Sequence, residues 1–253
     1  MATKDPSMDA ATKPGAIDPA AMQKIADATL AHYDARADDF WAGTRDHDVS
    51  QNIDALLSNI EGSPPFTILD FGCGPGRDLK AFSTRRHIPI GLEGSARFAE
   101  MARAYSGCEV WQQDFLRLDL PQDRFDGVFA NASLFHVPRV ELPRVLAELR
   151  AALKPRGVLF ASNPHGHDDE GWNRGRYGSF TGRRLGEPSA SPRASRKSRT
   201  TIGRPDCRGT SSRGSRRSGE RSDAKSCQDG EPIAAPALIV WFGRRPSWTP
   251  DLG

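Results

Sequence analysis

Between residues 66 and 162, short apolar runs alternate with segments of helical periodicity, and no other feature of the chain constrains its fold as strongly. Strands are expected over 66–71, 88–92, 109–113, 125–130 and 157–162, with helices near 77–86, 95–105 and 142–153. Strands alternating with helices form βαβ units, whose right-handed crossovers give a parallel sheet with helices on both faces. The last helix is the most clearly signed: Leu142, Val145, Leu146, Leu149 and Leu153 share one face, and Lys-Pro-Arg-Gly stops it. Upstream, Met22, Ile25, Ala26, Leu30 and Tyr33 recur at helical spacing in a segment running from Pro19 to Trp41. Val49, Ile53, Leu56, Leu57 and Ile60 make a second helical stripe. The expected class is α/β, a doubly wound parallel sheet preceded by two helices.

Charge divides the chain where this pattern stops. Residues 1–180 hold 20 basic and 25 acidic residues, net −5, whereas 181–253 hold 15 and 7, net +8. The overall charge of +3 therefore belongs to the C-terminal part. Residues 181–230 are dominated by Ser, Arg, Gly, Pro and Thr with almost no large apolar side chains, a composition that cannot offset the entropy of ordering. Only PALIVWF, 236–242, has the makings of a strand. The expected organisation is a flexible arm over 1–18, a domain over 19–180 and a basic disordered tail over 181–253. The tail's abrupt composition is what a GC-rich gene read out of frame would yield. Four cysteines without CxxC spacing argue against a disulfide framework or zinc site. No apolar run approaches the roughly 20 residues needed to cross a bilayer. A cytoplasmic protein with no membrane partner is expected.

The first strand runs into a glycine turn, FTILDFGCGPGRDL. Glycines after a buried strand let backbone N–H groups and a helix N-terminus approach a ligand without an intervening Cβ. The dinucleotide fingerprint G-x-G-x-x-G would need glycine at position 77, which is Arg77, and the stretch is not a G-x-x-x-x-G-K-[ST] loop either. Instead the glycines fall at Gly72, Gly74 and Gly76, with Asp70 just ahead. Glu93 ends the second strand, 21 positions beyond Gly72, where a carboxylate can accept from both hydroxyls of a ribose; the alternative is a solvated loop glutamate. Asp114, after the third strand, is placed to accept from an adenine amino group, with Phe115 beside the ring.

Taken in order, ILDFGCGPGRDL, GLEGS, QQDF, FDGVFANASLFHV and LRAALKPRGVLFASNP resemble the successive motifs of the class I S-adenosylmethionine-dependent methyltransferases, over roughly residues 30–180. The resemblance implies a Rossmann-like sheet, S-adenosyl-L-methionine as cofactor and a small-molecule methyl acceptor. It places Asp70, Gly72, Gly74 and Gly76 against the methionine half of the cofactor, Glu93 at the ribose, Asp114 and Phe115 at the adenine, and Asn131 at the amino-acid moiety. His136, following the fourth strand, would be a general base if the acceptor is protonated at rest; packing or loop capping is the other reading. The leading helices would form a lid carrying Tyr33, Trp41, Arg45 and His47 towards the substrate, although core packing accounts for the aromatics equally well.

Three expectations concern the remainder. The polar segment 163–178 reads as a loop over the site; its His165, His167, Asp168 and Asp169 lack ordered ligand spacing, so no metal is expected. The strand pair that ends such sheets is missing from the pattern, which would bare one sheet edge. The basic tail allows a nucleic-acid-directed alternative, but 181–230 contain no aromatic residue for base stacking, so no nucleic-acid partner is expected. An inactive truncated methyltransferase is the third possibility.

Overall fold

The computed structural model describes residues 18–164, 166, 169–180 and 238–241. Expectations for the arm 1–17, for His165, His167 and Asp168, and for the tail outside 238–241 fall outside the described residues.

Helix α1 (Pro19–Ala35) starts where the Asp18 carboxylate accepts from Ala20 N, with proline at the first helical position. The single helix expected from Pro19 to Trp41 is broken at Arg36, which leaves helical geometry at φ −123°. Helix α2 (Ala37–Thr44) then sets off in a new direction, and α3 (Ser50–Leu57) follows. The break lets Phe40 pack on Tyr33 and Phe98, at ring separations of 5.7 and 5.0 Å.

The sheet contains β1 (Thr67–Phe71), β2 (Ile88–Glu93), β3 (Glu109–Gln112), β4 (Phe125–Asn131) and β5 (Leu153–Ser162), all parallel in the order 3-2-1-4-5. Helices α4 (Arg77–Thr84), α5 (Ala96–Ser106) and α6 (Leu142–Ala152) connect them. Buried side chains alternate along each strand. Leu69, Phe71, Val128, Ala130, Leu159 and Ala161 pack with Val145 and Leu149 of α6, while Ile68, Phe129, Val158 and Phe160 pack with Ile53 and Leu56 of α3 and Phe82 of α4. Burial on both faces is what makes the strands read as continuous apolar runs rather than as alternation.

Two features depart from the expected outline. The segment 163–178, read as a loop, contributes to a hairpin of β6 (Asp169–Asn173) and β7 (Arg176–Phe180). Its two-residue turn has Arg174 at φ 50° and Gly175 at φ 87°, both left-handed, as the twist of a tight hairpin requires. The second is β8 (Leu238–Trp241), which comes from PALIVWF and pairs antiparallel with β5, from Val158 opposite Trp241 to Ala161 opposite Leu238. Among the described residues one strand, β8, flanks β5. Among the described residues no helix is long and apolar enough to cross a membrane.

Candidate functional site

The sheet order reverses between β1 and β4, and the crevice at the carboxyl ends of strands on either side of such a switch is where open α/β sheets bind ligands. A partly enclosed cavity of about 100 Å³ lies there, walled by Gly72, Gly74, Glu93, Asp114, Phe115 and His136 among others. Helix α1 supplies one wall through Ile25, Ala26, Thr29, Leu30 and Tyr33.

The glycine turn is shaped by close backbone approach. Gly72 N and Cys73 N both donate to Leu92 O, at 2.8 and 3.1 Å, which folds the turn back onto β2. Gly72 has φ 77°, and a Cβ there would stand 2.5 Å from Ser133 Cβ and 3.1 Å from the Phe115 ring. Gly76, at φ 94°, precedes α4 without reaching the cavity, and a Cβ on it would come within 2.8 Å of Ala102 Cα. Gly76 therefore serves the packing of the turn on α5.

Glu93 is buried, with Oε2 accepting from Gly74 N at 2.9 Å and Oε1 from Ser95 N at 2.8 Å. Loss of solvation raises its pKa to about 7, despite the opposing backbone donors. Asp70 is fully enclosed behind the turn, and its Oδ2 has no hydrogen-bond partner among the described residues. Desolvation, followed by the negative charge of Asp78, pushes its carboxyl well above the ordinary range. Asp114 accepts from Leu116 N through Oδ1 and from Gln23 Nε2 of α1 through Oδ2, both at 2.9 Å. Phe115 stacks on Phe71 at 4.1 Å.

Asn131 does not line the cavity. Its Oδ1 accepts from Asn52 Nδ2 and Ser162 Oγ, and its Nδ2 donates to Asp78 Oδ2. Asp78 also takes a two-pronged bond from Arg77, whose Nη1 donates to Thr44 O. This polar network ties α2, α3, α4, β4 and β5 together beneath the turn. Nothing in the spacing singled out Asp78, Asn52 or Ser162, because their partners are far apart in sequence.

The lid residues separate into two groups. Tyr33 reaches the cavity, whereas Trp41 packs edge-on against Tyr105 at 4.8 Å, Arg45 pairs with exposed Asp46, and His47 is exposed. Leu30 and Phe40 line the cavity as well, and residues unmarked in the sequence complete the walls, notably Thr29, Phe98 and Ser133. For the α1 residues, helical periodicity alone could not distinguish a cavity wall from a core face.

His136 sits in a single 3-10 turn (Leu134–His136) after β4. Its Nε2 lies 2.7 Å from Tyr33 Oη, and its Nδ1 lies 2.7 Å from Tyr177 O on β7. A carbonyl only accepts, so Nδ1 carries the proton and Nε2 accepts from the Tyr33 hydroxyl. Enclosure of the ring lowers the His136 pKa to about 4.

Residues 68–157 match a family described as a methyltransferase domain. A trans-aconitate 2-methyltransferase of Azoarcus sp. (strain BH72) is 31% identical over 116 residues, 45% of each chain. A sterol 24-C-methyltransferase of Gibberella zeae is 30% identical over 125 residues, 45% of this chain and 32% of the relative. The chain thus spans less than half the length of these curated relatives. A crystal structure of the Burkholderia thailandensis 1,6-didemethyltoxoflavin-N1-methyltransferase shares the fold, with a TM-score of 0.52, 21% identity and coverage of 67% of this chain and 76% of that one. The sheet order, the glycine turn and the matched segment agree: residues 68–157 match a methyltransferase domain, and the parallel sheet that holds them has the Rossmann-like fold of the class I S-adenosylmethionine-dependent methyltransferases.

Proposed function

We propose that residues 19–180, with β8, form a methyltransferase domain that binds S-adenosyl-L-methionine and methylates a small-molecule acceptor. The observation that carries this reading is the charge of the cleft: Glu93 and Asp114 line it, and no Lys or Arg does so among the described residues. A pyrophosphate would be repelled by such walls, whereas a ligand carrying a sulfonium and an ammonium suits them. The residues fit in detail. Glu93 retains acceptor capacity beyond its two backbone donors and can take the ribose hydroxyls. Asp114 can exchange the Gln23 amide for an adenine amino group. Gly72 and Gly74 line the cleft with backbone that carries no side chain.

When bound, the cofactor supplies an electrophilic methyl group. The chain contributes orientation, exclusion of water by α1, and proton acceptance near His136. The names of the trans-aconitate and sterol relatives support a small-molecule acceptor.

Calorimetric titration with S-adenosylmethionine tests the reading. Binding is expected for the intact chain, and Glu93→Ala should weaken it by about ten- to a hundredfold, the cost of unpaired ribose hydroxyls. Unchanged affinity in the variant would refute the ribose assignment, and no binding at millimolar ligand would refute the function.

A further inference from the structure

The lone pair that a general base at His136 would use is already covered by the Tyr33 hydroxyl, 2.7 Å from Nε2. The tautomer leaves no choice of direction, because Nδ1–H is held by the Tyr177 carbonyl. Arg176 Nη1 donates to the same Tyr33 oxygen at 3.1 Å, and its guanidinium lies 5.7 Å from the centre of the Tyr33 ring. A proton on Tyr33 thus has a path to His136, and negative charge developing on Oη has a cation beside it. Tyr33, Phe40 and Phe98 pack mutually at 5.0–5.7 Å and give this end of the cavity flat apolar walls.

On these observations we propose that Tyr33 is the residue that takes the acceptor's proton, with His136 behind it, and that the acceptor is a flat, uncharged molecule bearing an O–H or N–H. This rests on the methyltransferase reading above and deepens it. Tyr33 Oη receives the acceptor's proton as it passes its own to His136 Nε2. The acceptor heteroatom forms its bond to the methyl carbon, and the electron pair of the broken carbon–sulfur bond stays on sulfur. The imidazolium then returns its proton to water.

The groups facing His136 are Tyr33 and His32 from α1 and Arg176 and the Tyr177 carbonyl from β7; enclosure of the ring, and after it the Arg176 cation, disfavour a charged ring. His136 therefore stays neutral and able to accept across the working pH range, and holds the transferred proton only in passing. The β6–β7 hairpin is part of the device, since Tyr177 N also donates to Thr29 Oγ1 and so fixes α1 against the carbonyl that sets the tautomer.

The test uses the full chain without cofactor and 4-nitrophenol as probe, whose absorbance reports its ionisation. The wild-type chain is expected to bind it in its neutral form, with the phenol hydroxyl on Tyr33 Oη and a perturbed absorbance, and Tyr33→Phe to bind it about tenfold more weakly and without that perturbation. In parallel, nitrogen-15 spectra of histidine-labelled protein at pH 7 should show His136 neutral and protonated on Nδ1. Equal response in wild type and Tyr33→Phe, no binding by the wild type, or a His136 protonated on Nε2 would each overturn the proposal. Should Tyr33→Phe fail to fold, the wild-type spectra still decide. Titration with S-adenosylhomocysteine is scored separately: its failure sinks the cofactor reading and leaves the probe response intact.

Discussion

At the scale of single residues, the site is built around carboxyl groups that burial has moved away from their ordinary behaviour. Glu93 titrates near pH 7 and Asp70 well above the usual range, so ionising either one in the ligand-free chain costs free energy. A carboxyl whose folded pKa exceeds its unfolded value contributes stability below the unfolded pKa, and this is lost as pH rises through the folded one. For Glu93 the window runs from about pH 4.5 to 7 and amounts to something on the order of 3 kcal/mol. His32, His87 and His136 have lowered pKa values and pull the other way as pH falls, so the informative quantity is a difference between variants. Thermal melts of wild type and Glu93→Gln from pH 5 to 8 should show the variant gaining on wild type as pH rises. A constant offset would mean that Glu93 ionises as freely as an exposed glutamate. The same physics makes the wild-type chain bind a cationic cofactor more tightly at pH 8 than at pH 6, readable by calorimetry.

At the scale of elements, α1 is held over the cleft by polar ties at separate points along its length. Asp34 Oδ1 accepts from Ser95 Oγ at 2.6 Å and from Arg97 N at 3.1 Å, Gln23 reaches Asp114, and Thr29 meets Tyr177 N. The Asp34 tie joins the end of α1 to the start of α5, beside the carboxyl edge of β2. Replacing Asp34 with Ala should raise hydrogen exchange of the amides in 25–33 about tenfold while leaving the exchange of β1 and β4 unchanged. Equal exchange in both proteins would show that α1 does not depend on this latch. The break at Arg36 and the β6–β7 hairpin belong to the same scale, and both escaped the pattern of residues. Arg36 offers no proline or glycine to mark a break, and the hairpin strands DEGWN and RYGSF lack apolar alternation because little of their surface is buried apart from Tyr177, Gly178 and Ser179.

At the scale of the molecule, the parallel sheet ends on β5, whose outer edge is taken up by β8. An unpaired edge on a long buried strand is a template for pairing with another chain. Deleting 238–253 is expected to lower the melting temperature and to produce concentration-dependent light scattering. A deletion that stays monodisperse with an unchanged melting temperature would show that β8 is dispensable to the sheet.

The sequence alone determined the order of the central elements, because buried parallel strands and amphipathic helices each impose a local apolar period. It also marked Gly72, Gly74, Glu93, Asp114 and Phe115, since turn chemistry and strand ends are local and countable. Only the tertiary structure decided that Asn131 belongs to a network beneath the turn, that Trp41, Arg45 and His47 stay out of the cavity, and that Tyr33 covers His136. Two of those outcomes depend on pairs far apart in the chain: Asp78 with Asn131, 53 positions apart, and Tyr33 with His136, 103 positions apart. Periodicity reports the face on which a side chain lies, while the partner it meets there is fixed by how the elements pack.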